Sequence, residues 1–265
     1  MCQLLGMNCN VPTDICFSFE GFCARGGATA DHADGWGIAF FEGRGCRTFI
    51  DARPSTSSPI ADLVRRYPIK SMHVIAHIRK ATQGDVALEN CHPFQRELWG
   101  RYWVFAHNGN LASLVAPPGD VYRPVGTTDT EAAFCLMLET LRRRFPSGKP
   151  PLGDLFGTLA AMTMDLRRHG PFNYLLSDGE HFFAHCSTGL HYIVRQAPFA
   201  AAHLIDRDVT VDFSEVTTPN DRVALIATSP LTDNEVWTPI ARDHLVVFKD
   251  GAPLDAVTTG DHHTR

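Results

Sequence analysis

The order of apolar patterns along the chain limits its fold more than any single residue does. Short alternating or apolar segments fill roughly the first 110 residues; two helical segments then follow one another, and strand patterns resume. TDTEAAFCLMLETLRRRF, residues 128–145, has Asp and Glu in its first turn and three Arg in its last, as the helix dipole favours. Residues 152–168 predict a second helix, closed by Gly170-Pro171. Strands and helices therefore do not alternate as βαβ units. The order predicts an α+β chain of antiparallel sheets with helices packed outside, not a doubly wound parallel sheet.

The flanking segments fit this plan. QLLGMN (3–8) reads as a short buried strand, and Thr13 with Asp14 caps a helix to about Arg25, ended by Gly26-Gly27. WGIAFFE, GRG and CRTFID predict a β-hairpin. Ser58-Pro59 opens a short helix to about Arg66. MHVIAHIRKA (72–81) alternates as a strand, the next twenty residues read as loop, and WVFAHNGN (103–110) is an apolar strand entering a turn. After the helical pair, FNYLLSDG, EHFFAHCS, HYIVRQ, VTVDF, RVALIAT and HLVVFKD predict further strands. Neither a repeat nor a linker interrupts them, so residues 2–265 are expected to form a single domain with a peripheral tail from about 251.

Composition narrows the function classes. With 265 residues, 44% hydrophobic, the chain can bury a large core. A net charge of −5 gives no basic surplus for nucleic acid or an anionic membrane. No apolar run reaches membrane-spanning length, and no basic segment leads into an apolar stretch at the start, so a cytoplasmic protein is expected. In that setting the eight cysteines are not a disulfide framework. Cys2, Cys9, Cys16 and Cys23 fall seven apart, but Cys2 and Cys9 differ in parity and face opposite sides of one strand. No CxxC pair occurs, and neither a metal site nor a cofactor is expected.

Four polar clusters sit where strands should end: Cys2, the HIRKAT run 77–82, HNGN 107–110 and TTDTE 127–131. Taken singly, each has a plain structural role. Cys2 is a small apolar residue at a strand start, Arg79 a rim arginine, Asn108-Gly109 a hairpin turn and Asp129 a helix cap. Together they meet the needs of amide hydrolysis by a terminal cysteine. The Cys2 thiolate is the nucleophile, and its own α-amine, exposed by removal of Met1, titrates near neutrality and serves as base. The Asn108 amide and the Gly109 N–H are candidate oxyanion donors. Arg79 suits a substrate carboxylate and Asp129 a substrate ammonium.

On these residues the chain resembles the class II glutamine amidotransferases of the N-terminal-nucleophile hydrolase superfamily. The resemblance runs through Cys2, HIRKAT, NCHPF (90–94), HNGN and TDTE in order. It is nearest the stand-alone, YafJ-type members through DGWGIAFFEG, ALENCHPF, ELWG, FNYLLSDG and ATSPLTDNEVW, and spans essentially the whole chain. It implies a four-layer αββα sandwich of two antiparallel sheets. It also implies Cys2 as nucleophile, Asn108 and Gly109 as oxyanion hole, and Arg79 and Asp129 as the clamp for the glutamine α-groups. Thr82 and His92 would line or support the pocket, and residues 34–37 would form a hairpin beside the nucleophile. Synthase-linked relatives often carry Trp and His where this chain has Lys80 and Gln83.

The expected activity is cleavage of glutamine or another γ-glutamyl amide to glutamate and ammonia or an amine. The alternative is a non-catalytic or partner-dependent subunit of a larger amidotransferase. Nothing after about Asp250 would fold into a synthase and no GxxxxGK loop occurs, so ammonia would pass to a separate accepting protein, if to any.

Overall fold

A computed structural model describes residues 2–81, 84–117 and 119–260. In chain order the elements are β1 (Gln3–Thr13), α1 (Cys16–Ala24), β2 (Trp36–Glu42), β3 (Gly45–Asp51), α2 (Pro59–Arg66), β4 (Ser71–Ile78), β5 (Phe94–Leu98) and β6 (Arg101–Gly109). Then come α3 (Asp129–Arg144), α4 (Leu152–Leu166), β7 (Phe172–Ser177), β8 (Phe182–Cys186), β9 (His191–Gln196), β10 (Ala201–His203) and β11 (Thr210–Asp212). The chain closes with β12 (Arg222–Ala227), β13 (Thr238–Pro239), β14 (His244–Lys249) and β15 (Ala252–Thr258).

Two antiparallel sheets result. One runs β13-β9-β12-β1-β4-β2-β3, the other β15-β14-β8-β7-β6-β5, with β10-β11 a separate ribbon. Strand alternation divides the core into three layers. On β1, Leu5, Met7 and Cys9 face Phe19 and Phe22 of α1 and Val64 of α2. Leu4 faces the other way, meeting Val104, Leu175 and Phe182 of the second sheet. The outer face of that sheet, including Phe105, Tyr174 and Leu245, packs on Phe134 and Leu138 of α3 and Leu155 of α4. Phe105 and Phe134 stack with centroids 5.1 Å apart. The expected αββα sandwich is therefore present, and the parity of Cys2 and Cys9 places them in different layers.

Local chemistry sets most of the element ends. Ser58 accepts from the Ala61 N–H at 3.4 Å and Pro59 occupies the first turn of α2. Asp14 accepts from Cys16 N at 3.1 Å, but Ile15, not Thr13 or Asp14, holds the N-cap position of α1. The expected strand 3–8 extends to Thr13 because Asn8 and Thr13 pair across a bulge with His73 and Ser71. The stretch read as loop after residue 81 contains β5, an edge strand paired with β6. Its FQREL sequence buries only its two ends and gives no apolar alternation. β15 likewise extends the chain's last described part as an edge strand on β14. Among the described residues, no helix is long and apolar enough to cross a membrane.

Candidate active site

Cys2 precedes β1, where the ends of β4 and β6 also lie. Its side chain is 8% exposed. The Lys80 N–H donates to Cys2 Sγ at 3.3 Å, and the thiol donates to Lys80 O at 3.4 Å. Burial pushes the Cys2 thiol up, opposed by the Lys80 backbone and the Arg79 charge, while the Asp129 charge adds to the rise. A buried thiol of this kind keeps its proton near neutrality, so it needs a base at the moment of attack.

Arg79 follows β4, and its main chain continues an extended pairing. Arg79 N donates to Gly35 O at 2.8 Å, and Asp34 N to Arg79 O at 3.2 Å. Its guanidinium is buried and donates to Asp85 O at 2.9 Å and Gly84 O at 3.1 Å. Asn90 fixes that loop by donating to Asp85 O and accepting from Thr127 N at 2.9 Å. Backbone carbonyls of the 84–85 loop thus help to preset the fork of Arg79. Asp34 Oδ2 accepts from Ala81 N at 2.8 Å, tying the segment that leads into β2 to the backbone beside the nucleophile; residues 34–37 are the entry to that strand, not a hairpin.

Asn108 and Gly109 are not a hairpin turn. They end β6, paired with Asn173 and Phe172 of β7. The Asn108 carbonyl accepts from Asn173 Nδ2 at 2.9 Å, while Asn173 Oδ1 accepts from Ser187 N and Thr188 N. The Asn108 side chain reaches the Thr228 hydroxyl at 3.5 Å, which also accepts from Leu4 N at 2.9 Å. One oxygen thereby ties the oxyanion candidate to the nucleophile's strand. An amide carries two N–H bonds, so the second remains for a substrate oxyanion. Asn108 Oδ1 is buried with no hydrogen-bond partner, an uncommon state outside working sites. At Gly109 a Cβ would stand 1.8 Å from Pro171 O. Glycine is required there by the close approach of the neighbouring chain.

Asp129 is not the helix cap. Thr128 takes that place, accepting from Glu131 N at 3.2 Å, and Asp129 begins α3. Its carboxylate accepts from Leu111 N at 2.6 Å and Thr130 N at 2.9 Å, which joins the segment after HNGN to the helix start. Oδ1 also accepts from the Thr130 hydroxyl at 3.5 Å, which leaves Oδ2 with capacity for a further donor.

His92 lies behind this set. Its ring packs at a tilt against His77 and Phe94, with centroids 4.1 and 4.9 Å away. Burial holds the His92 pKa well below the ordinary histidine range and that of His77 down to about 3. Neutral and enclosed, His92 supports the site rather than bearing charge in it. Thr82 lies outside the described residues.

The structure therefore gathers Cys2, Arg79, Asn108 and Asp129 around one strand end, with His92 behind them. It adds Thr228 and Asn173, which sequence spacing does not reveal because both act across long-range strand pairings. Cavities of about 420 and 640 Å³ lie elsewhere, one beside Trp99 and Arg101, the other beside Phe17 and Phe213. His73/His77 and His181/His185 have HxxxH spacing, but His73 and His77 share strand β4, where residues four apart are about 13 Å distant. They cannot ligate as a helical pair would. Thr228→Val is expected to lower turnover about tenfold by freeing the Asn108 amide, with Thr228→Ser near wild type. Steady-state kinetics of the two variants check this.

Two antiparallel sheets packed face to face between helical layers form the fold of the N-terminal-nucleophile type of glutamine amidotransferase. A solved structure of a predicted glutamine amidotransferase from Pseudomonas aeruginosa PA01 superposes with TM-score 0.77 at 47% identity, covering 96% of this chain and 99% of that one. The family model for class II glutamine amidotransferases matches residues 1–265, and the chain belongs to that family. YafJ of Escherichia coli (strain K12) is 57% identical over 240 residues, 91% of this chain and 94% of its own. A γ-glutamyl-hercynylcysteine sulfoxide hydrolase of Mycobacterium tuberculosis (strain CDC 1551 / Oshkosh) is 26% identical over 228 residues, 85% of this chain and 80% of its own.

Proposed function

We propose that the protein hydrolyses a γ-glutamyl amide through Cys2. The observation that carries this reading is the seat of the Cys2 thiol on the Lys80 backbone. There it is buried beside the Arg79 charge and tied through Thr228 to the Asn108 amide. Family membership supports amide C–N chemistry, and a mycobacterial relative named as a γ-glutamyl hydrolase supports the γ-glutamyl reading.

In the proposed reaction, loss of Met1 frees the α-amine of Cys2. That amine takes the thiol proton as Sγ attacks the amide carbon. The carbonyl oxygen becomes an oxyanion, met by the second Asn108 N–H and the Gly109 N–H. The C–N bond breaks as the resulting α-ammonium gives its proton to the leaving nitrogen. A γ-glutamyl thioester remains; the amine then deprotonates water, which attacks the thioester carbon and releases glutamate and the thiol. Arg79 holds the α-carboxylate and Asp129 the α-ammonium throughout. A reducing cytoplasmic setting keeps the thiol free for this cycle.

The test is release of glutamate from a panel of γ-glutamyl amides, with the intact mass measured on the same sample. Saturable hydrolysis by protein lacking one methionine is the expected result. Full activity in protein that retains Met1 would sink the α-amine mechanism. Negligible hydrolysis until a co-purifying protein is added would favour the partner-dependent subunit.

A further inference from the structure

The residue that grips the nucleophile by its backbone also carries a cation. Arg79 and Lys80 are neighbours in an extended segment, so their side chains leave on opposite sides. The guanidinium of Arg79 turns to the carbonyls of Gly84 and Asp85. The ammonium of Lys80 turns the other way and pairs with Asp31. Cys2 Sγ is held on the Lys80 N–H and carbonyl, so the Lys80 side chain starts beside the nucleophile. With the glutamyl half of a substrate on Arg79, the leaving amine points away from that guanidinium, and Lys80 is a cation whose backbone touches the thiol.

We propose that Lys80 is a specificity residue that binds a carboxylate on the leaving amine, which makes γ-glutamyl amino acids the substrate class. This rests on the reading of Cys2 and Arg79 given above. The Lys80–Asp31 pair is open to solvent, with side chains 38% and 79% exposed, and such pairs contribute little to stability. An incoming carboxylate can therefore replace Asp31 at small cost, with a charge-assisted hydrogen bond to the ammonium. Glutamine, whose leaving group is ammonia, has nothing to offer Lys80.

Two probes that differ only in this charge provide the experiment: γ-glutamylalanine and γ-glutamylalanine amide. The expected result for the wild-type protein is a kcat/KM about two- to fivefold higher for the acid. Lys80→Met should bring the ratio of the two substrates close to one, Lys80→Arg should preserve most of it, and Asp31→Asn should raise it. A wild-type ratio near one, or an unchanged ratio in Lys80→Met, overturns the assignment while leaving the hydrolase reading intact. If the wild-type protein cleaves neither probe nor glutamine, the hydrolase reading fails, and the role of Lys80 fails with it.

Discussion

Cys2→Ala is expected to lower γ-glutamyl amide hydrolysis roughly 10⁴-fold or more, the scale seen when a nucleophile is removed from a site that acts as a unit. Alanine is small enough for Met1 still to be removed, so the α-amine stays in place and only the thiol is lost. A thermal midpoint close to wild type would separate loss of chemistry from loss of fold. The other cysteines do not replace it. Burial pushes Cys9 and Cys16 up to about 12 and Cys46, Cys91 and Cys135 up to about 11. Cys2 is raised by burial too, but among the described cysteines it combines the Lys80 N–H with the Arg79 charge, and in the proposed mechanism loss of Met1 adds an α-amine. Because its thiol keeps its proton near neutrality, the rate should follow the base rather than a preformed thiolate. The wild-type kcat/KM should then rise with pH as the α-ammonium deprotonates, with a midpoint around 7.7–8.0 if that amine is unperturbed. Wild-type turnover in Cys2→Ala, measured by glutamate release, would remove Cys2 from the mechanism.

The layers were legible in the sequence because they depend on periodicity. Two amphipathic helices in series cannot lie between parallel strands, and FNYLLS or RVALIA buries nearly every residue, as central strands do. Strands held by their neighbours rather than by their own pattern were not legible. β5 is polar across its middle, β13 has two residues, and β15 alternates weakly at an edge. At the site, motif residues were visible through their types, but their contacts were not. Thr228 lies 224 residues from Leu4 and 120 from Asn108, so its double link follows from sheet pairing alone. The reason for Gly109 was also hidden, because its crowding comes from Pro171, 62 positions later in the sequence. Asp129 and Thr128 exchanged roles for a smaller reason: both residue types cap helices well, and only the extended backbone of Thr128, with ψ of 143°, decides between them.

Asn108→Ala is expected to lower kcat about 100- to 1000-fold and to leave KM nearly unchanged, as loss of one oxyanion donor does elsewhere. The split follows from where the side chain works. The clamp on the substrate α-groups is built from Arg79 and Asp129, which the substitution leaves alone. The main chain of residue 108 is held independently, since its carbonyl accepts from Asn173 Nδ2 and its strand stays paired with β7. Removing the amide also removes a buried unpaired oxygen, so the fold should lose little stability. What disappears is the donor for charge that develops only as Sγ bonds to the carbonyl carbon, an interaction absent from the bound ground state. The Gly109 N–H would remain as a second donor and would account for residual turnover. Single-turnover kinetics with a slow γ-glutamyl amide separate the two cases. A slowed acylation step with unchanged saturation supports the oxyanion role, whereas a weakened KM with normal acylation would mean that Asn108 only shapes the end of β6.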